Sequence, residues 1–300
     1  NSLFSNTTGC NNIAIGSSAL YTNSQGYGNT AIGNFALNKN VSGIYNFAVG
    51  SDALRCNISG SHNIAVGNSA LYGNTNGTDN IALGYRTLYG NINGRYNFAA
   101  SDRALRFNIS GCNNFAQGYR ALNGNTSGCN NTAIGYTALF CNSTGSNNVA
   151  IGLLALRVSQ ADNNIAIGSQ ALYGNISGTD NIAIGCLALC SNNTGVSNQA
   201  IGAGALAKNT SGVGNTAIGA GAMCGNTTGG YNVGIGVGAL IGIHAGCYNV
   251  ALGPYAMCGN TGGANNFAAG YAALGCNTSG CNNVAIGSQT LNKNTIGNVV

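Results

Sequence analysis

Asn131 to Asn147 reads N-T-A-I-G-Y-T-A-L-F-C-N-S-T-G-S-N, and the rest of the chain is this phrase rewritten. Its opening asparagine recurs as Asn12, Asn29, Asn46, Asn63, Asn80, Asn97, Asn114, Asn131 and Asn148, then as Asn164, Asn181, Asn198, Asn215, Asn232, Asn249, Asn266 and Asn283. The step is 17 residues, broken once, at 16, between Asn148 and Asn164. Residues 1–11 fit the tail of an earlier copy, and Val300 opens another. Self-similarity at a fixed period marks an array whose repeats touch only their neighbours. Residues 1–300 are therefore expected to form one continuous repeat domain, a segment of a longer array.

Numbering each copy from its asparagine turns the sequence into columns. Position 3 is alanine except at Gly234, and position 8 is alanine except at Thr87 and Thr290. Position 4 is Ile, Val or Leu except at Ala100, Gln117 and Ala269, while position 9 is always Leu or Met. Position 5 is glycine except at Ser101, and position 15 is glycine except where the shortened copy places Ala161. A second asparagine usually fills position 12.

These columns describe two short extended segments, positions 1–4 and 8–11, joined by a turn at the position 5 glycine and another at the N-T-S-G of positions 12–15. Glycine supplies positive φ, and Asn, Ser and Thr bond back to the local backbone. Two such turns per copy leave no run long enough for a stable helix. The expected fold is all-β: a parallel β-solenoid of about 18 coils, each coil hydrogen-bonded to the next at about 4.8 Å, on the order of 85 Å in all.

Alternation along a strand assigns faces. The larger apolar residues, at positions 2, 4 and 9, are expected inside the roll. Alanine at positions 3 and 8 then lies on the opposite face, where a solvated surface would drift among polar residues. Something must pack against it closely enough to exclude larger side chains. Identical neighbouring chains are the expected partner, and two internal sheets pressed unusually close are the alternative. The asparagine columns are expected to form amide ladders, as in other in-register stacks.

Charged residues make up 5% of the chain, which has 49 glycines and no glutamate. Asp52, Asp79, Asp102, Asp162 and Asp180 are too few and too scattered for acid/base or hard-metal chemistry. Neither His62 nor His244 has a nucleophile and a carboxylate arranged around it. No enzyme, cofactor or metal is expected, nor a nucleic-acid partner. The most apolar run, Val233 to Ile243, is 11 residues long, short of the roughly 20 a membrane-crossing helix needs. Twelve cysteines point to an oxidising compartment.

The string N-x-A-I-G-x-x-A-L, as in Asn164 to Leu172 or Asn283 to Leu291, resembles the N-S-V-A-I-G repeats of YadA-type trimeric autotransporter heads and related repeats in phage tail fibres. The resemblance covers the whole chain. It implies a left-handed parallel β-roll assembled as a homotrimer that displays adhesive surfaces. This chain's repeat is longer, by the added N-T-S-G turn, and the cysteines also depart from the family pattern.

Three sets of residues could carry further chemistry. Arg86, Arg103 and Arg120 occupy position 7 of three successive coils; stacked guanidinium groups repel unless solvated or paired, which makes the column a candidate site for sulfate, sialic acid or phosphate. Asp102 can neutralise part of it. Cysteine is confined to positions 6, 10, 11 and 16. Cys276 and Cys281 flank one turn, and Cys112 and Cys129 lie one coil apart in one column, so both pairs are disulfide candidates. Position 12 spells N-x-S/T glycosylation sequons at Asn6, Asn40, Asn57, Asn108, Asn125, Asn142, Asn175, Asn192, Asn209, Asn226 and Asn277, with Asn130 off the column. Coils about 4.8 Å apart leave less room than a glycan's width, so a turn that merely spells a sequon is the expectation for most of them.

From Asn209 to Asn292 there is no Asp, Glu, Lys or Arg. A surface so bare of charge associates sideways unless it is covered. The expected role is a structural fibre or filament segment built from identical chains, on a cell surface, a virion or an extracellular appendage. The alternative is an adhesin or receptor-binding fibre recognising acidic surface glycans through the arginine column. Ice binding is disfavoured because outward Thr-x-Thr ranks are absent.

Overall fold

Positions 2 to 4 place β-branched or aromatic residues around a central alanine, a composition suited to a short, half-buried strand. In the computed structural model, which describes residues 1–295, every complete copy forms a three-residue strand there, and no helix occurs among the described residues. The further copy expected at Val300 lies outside them. The coils fall in two units, Asn1–Asn148 and Val149–Val300. The first holds β1 (Ile13–Ile15), β2 (Thr30–Ile32), β3 (Phe47–Val49), β4 (Ile64–Val66), β5 (Ile81–Leu83), β6 (Phe98–Ala100), β7 (Phe115–Gln117) and β8 (Thr132–Ile134). The second holds β9 (Val149–Ile151), β10 (Ile165–Ile167), β11 (Ile182–Ile184), β12 (Gln199–Ile201), β13 (Thr216–Ile218), β14 (Val233–Ile235), β15 (Val250–Leu252), β16 (Phe267–Ala269) and β17 (Val284–Ile286).

Within each unit, successive strands pair in parallel, with like residues opposite one another. Ile64 lies beside Ile81 and Ala65 beside Ala82; Ile165 lies beside Ile182 and Ala166 beside Ala183. The shortened copy keeps the match, with Ala150 beside Ala166. Backbone bonds between coils run all round the perimeter. The Ile64 N–H donates to Asn80 O at 2.8 Å, Gly67 to Val49 at 2.8 Å, Leu71 to Thr87 at 2.9 Å and Asp79 to Ser61 at 3.1 Å. This is the parallel β-solenoid that the 17-residue period predicts.

The second extended segment expected at positions 8–11 is instead a chain of turns. Ala70 N–H closes on Gly67 O at 3.3 Å and Asn74 on Leu71 O at 3.2 Å. Left-handed backbone makes these turns tight, and it falls mostly on residues other than glycine. Position 9 has φ near +50° throughout, as at Leu71 (52°), Leu122 (51°) and Met223 (50°). A β-branched side chain is a severe outlier there. That explains why the column is Leu or Met in every copy and never Ile or Val. Position 17 is likewise left-handed and holds Asn, Asp, Gly, Tyr, His or Ser, as at Asn130 (59°) and Asp79 (57°).

The expected faces are reversed in part. Alanine at positions 3 and 8 and leucine at position 9 are buried in every coil but the end ones, where Ala14 and Leu291 are half-buried, whereas positions 2 and 4 point outward. At Gly234, a Cβ would sit 3.2 Å from Met223 Cε and 3.4 Å from Ala239 O, so the position 3 column packs on columns 9 and 8 inside the roll. The alanines are small because the coil is thin: interiors pack to crystal-like density, and no space remains for a larger residue. The alanine columns thus record close packing inside the roll rather than against neighbouring chains, but of one sheet against a chain of turns and not of the two internal sheets weighed as the alternative.

The two asparagine columns complete this interior as ladders. Asn108 Nδ2 donates to Asn91 Oδ1 at 2.7 Å and to Gly111 O at 2.9 Å. Asn97 at position 1 donates to Asn80 Oδ1 at 3.0 Å and to Gly111 O at 2.8 Å. Glycine at position 15 is thus required by crowding rather than by φ: a Cβ on Gly111 would lie 2.4 Å from Asn108 Oδ1 and 2.5 Å from Gly128 O. Ser159 takes the asparagine's place in the shortened copy, accepting from Asn175 Nδ2 at 3.3 Å.

Leu122→Met is expected to cost less than about 1.5 kcal/mol. Leu122→Ile, equal in volume, is expected to cost about 1–3 kcal/mol more, because it forces branching at Cβ onto left-handed backbone. Urea unfolding followed by circular dichroism measures the difference; equal costs would remove the backbone explanation for the column.

Candidate functional site

Arg86, Arg103 and Arg120 project from the left-handed position 7, with φ of 51°, 55° and 53°. All three are half-buried, because each guanidinium lies on a tyrosine from position 6. Arg86 sits 5.0 Å from the Tyr85 ring centroid, Arg103 5.7 Å from the same ring and Arg120 5.1 Å from Tyr119. Arg103 Nε also approaches Asp102 Oδ1 at 3.7 Å. Ring quadrupoles and one carboxylate therefore moderate the repulsion expected of the column. Between Tyr85 and Arg120 the chain carries five arginines and one aspartate, so the face remains cationic.

The aromatic side of this face is what sequence reasoning missed. Tyr72 and Tyr89, one coil apart at position 10, stack at 4.9 Å, and Arg86 and Arg106 each reach the Tyr89 ring within 6 Å, at 5.8 and 5.9 Å. The signal was present as tyrosine at positions 6 and 10 of these same coils. The irregular residues nearby compensate one another. Thr87 stands where alanine is usual, and its hydroxyl donates to the carbonyl of Ser101, which replaces the usual glycine, at 2.8 Å.

The sequon asparagines are a correction. Asn40, Asn57, Asn108, Asn125, Asn142, Asn175, Asn192, Asn209, Asn226 and Asn277 have no exposed surface. Their Nδ2 atoms, the atoms a glycan would occupy, donate inside the ladder; Asn57 gives one bond to Asn40 Oδ1 at 2.7 Å and one to Gly60 O at 2.8 Å. A sugar there is incompatible with the folded coil. Only Asn6, on the ladder, and Asn130, off it, are exposed.

The Cys112–Cys129 pair is brought together. Cys112 Sγ and Cys129 Sγ lie 2.7 Å apart as unbridged thiols. Hydrogen bonding to Cys129, then burial, pushes the Cys112 thiol up to about 11. Cys276 Sγ instead approaches Asn292 Oδ1 at 3.8 Å, while Cys281 Sγ approaches Ser279 O at 3.5 Å and accepts from Ala264 N–H at 3.4 Å. The thiols of the pair across the turn are unbridged, and these bonds go to different neighbours.

A further feature is the outward face of the strands. Ile13, Ile15, Phe47, Ile64, Val66 and Leu83 in the first unit, and Ile184, Ile201, Ile218, Ile235, Val284 and Ile286 in the second, are 36–70% exposed. Phe98 and Phe115 stack on this face at 4.7 Å. Among the described residues no pocket forms, no group of three metal-ligating side chains assembles, and no helix is long and apolar enough to cross a membrane. Comparison with protein families and with curated proteins finds no match.

Secreted from a glycosylating eukaryotic host, the folded chain is expected to carry no sugar at Asn57, Asn108 or Asn125. Enzymatic deglycosylation in heavy-oxygen water with peptide mapping checks this; heavy aspartate at those positions in the folded fraction would contradict the ladder assignment.

Proposed function

We propose that this chain is a structural fibre or filament segment that assembles with identical copies as a homotrimer, on a cell surface, a virion or an extracellular appendage. The observation that carries this reading is the outward sheet face. Positions 2 and 4 hold Ile, Val, Leu or Phe in most coils although they point away from the interior, the exceptions being Thr30, Thr132, Gln199 and Thr216 at position 2 and Ala100, Gln117 and Ala269 at position 4. Contiguous exposed apolar surface of this kind marks an interaction site. It takes over the role the alanine columns were expected to play: the neighbour remains, and the surface that meets it shifts by one residue along the strand.

Identical chains fit this face by chemistry as well as by economy. The stretch from Asn209 to Asn292 carries no charge to oppose self-association, and its exposed side chains include Ile218, Ile235, Val237, Ile241 and Tyr248. The similarity to YadA-type heads and phage tail-fibre repeats supplies three as the copy number, and with it the left hand of the roll. The role is mechanical rather than catalytic. Ladders of backbone and asparagine bonds give each coil stiffness, while the variable positions 6, 7, 10 and 16 are open to solvent or ligands.

The second reading is an adhesin that recognises acidic glycans. Its specific support is the cationic, tyrosine-backed face around Arg86, Arg103 and Arg120, where guanidinium edges are presented against flat rings.

Light scattering of the native chain is expected to give about three times the 29.9 kDa chain mass. The double variant Ile201→Lys, Ile218→Lys is expected to fall to one chain mass with its circular dichroism unchanged. A single-chain mass for the unaltered protein would remove the assembly reading. For the second reading, binding to a sulfated glycan array is expected to weaken with added salt, as exposed charge contacts do. It should drop roughly tenfold in Arg103→Ala; salt-insensitive binding, or none, would end it.

A further inference from the structure

We infer that Cys112 and Cys129 are a redox site: two thiols poised to close a disulfide that runs along the solenoid axis and staples one coil to the next. The placement comes from an unfilled donor in the backbone. At position 16 the carbonyl accepts from position 17 of the following coil, as Cys112 O does from Asn130 N–H at 3.0 Å, but the position 16 N–H is left for a side chain. The next coil's own position 16 residue supplies it. Ile44 N–H goes to Ser61 Oγ at 3.1 Å, Cys129 N–H to Ser146 Oγ at 3.1 Å, and Cys112 N–H to Cys129 Sγ at 3.1 Å. This bond draws the Cys129 sulfur over the preceding coil, where Cys112 Sγ lies 2.7 Å away.

Twelve cysteines are present, yet this is the sole pair that occupies the same column in successive coils. Parallel strands set the Cα spacing near 4.8 Å, inside the range of roughly 4.4–6.8 Å that a disulfide accepts. The bridge therefore forms without moving the coils. The neighbouring case shows the contrast. Cys258 and Cys276 also sit in successive coils, but at positions 10 and 11, and Cys258 Sγ donates to Gly275 O at 3.4 Å rather than to a thiol.

The oxidant is a small disulfide such as oxidised glutathione. One protein thiolate attacks a glutathione sulfur, forming a mixed disulfide and releasing one glutathione thiolate, which takes up the proton. The second protein thiolate then attacks the protein sulfur of the mixed disulfide and releases the second glutathione. Two protein thiols are oxidised, one glutathione disulfide is reduced, and two protons pass to the glutathione thiols. Hydrogen bonding and burial hold the Cys112 thiol near 11, so closure is expected to quicken as pH rises between about 7 and 9.

The native chain is equilibrated in glutathione buffers of increasing oxidised fraction, alkylated with iodoacetamide and mapped by mass spectrometry. Cys112 and Cys129 are expected to lose alkylation together, as one cross-linked peptide lighter by two hydrogens, at a poise where exposed Cys10 and Cys186 are still alkylated. Cys129→Ser should leave Cys112 alkylated or singly glutathionylated at that same poise. The column holds Ser61, Thr78 and Ala264 elsewhere, so this variant keeps the fold. Alkylation of Cys112 and Cys129 in parallel with Cys10 and Cys186 at every poise would overturn the proposal, as would the same peptide mass persisting in Cys129→Ser.

Discussion

Each coil hydrogen-bonds to the next through its own backbone at a register of one repeat, so every side chain must stack on its counterpart in the adjacent copy. Nearly everything else in the structure follows from that constraint. A residue suits its column only if it tolerates a copy of itself about 4.8 Å away on each side. Asparagine does so well, because its amide is donor at one end and acceptor at the other. Two buried polar columns can therefore be satisfied by repetition alone. The exceptions show the cost of breaking the rule: Ile243 interrupts the position 12 column, and Asn226 Oδ1 below it is buried without a partner. Arginine tolerates its own kind less well, and its column is accompanied by tyrosine rings and Asp102.

A second constraint is the tightness of the coil. Closing a turn of the solenoid in 17 residues requires left-handed backbone at positions 7, 9 and 17 as well as at the position 5 glycine. Each such residue outside glycine stores strain of order 1–3 kcal/mol, which persists only where packing and hydrogen bonds over-determine it. Position 9 meets that condition because its leucine is fully buried and its N–H is fixed to the next coil. The same tightness leaves room for alanine alone at positions 3 and 8. It sends the larger Ile, Val and Phe of positions 2 and 4 outward, and this creates the apolar face on which the assembly reading rests.

The candidate sites divide along the same line. The arginine column and the Cys112–Cys129 pair were legible in the sequence because a fixed period converts position into spatial adjacency. The rings beneath the arginines were not singled out, although tyrosine at positions 6 and 10 could have found them. The sequons were legible as strings but not as sites. Their asparagines are turn residues by composition, and only the direction of the side chain, into the ladder rather than into solvent, decides that Nδ2 is already bonded.

What the sequence determined by itself was the period, the coil, the register and the ladders. These depend on which residues recur, and recurrence is visible without coordinates. Which side of the strand faces in was left to the tertiary structure. Alternation fixes that Ala116 lies opposite Phe115 and Gln117, but both assignments satisfy it equally. The width of the closed coil breaks the tie, and width is set by dihedral angles at Leu105, Arg120 and Leu122 that no hydrophobic pattern encodes. The cysteine pairs Cys276–Cys281 and Cys112–Cys129 divide the same way. Adjacency along the axis is given by counting, whereas adjacency across a turn depends on where each side chain points once the backbone has closed.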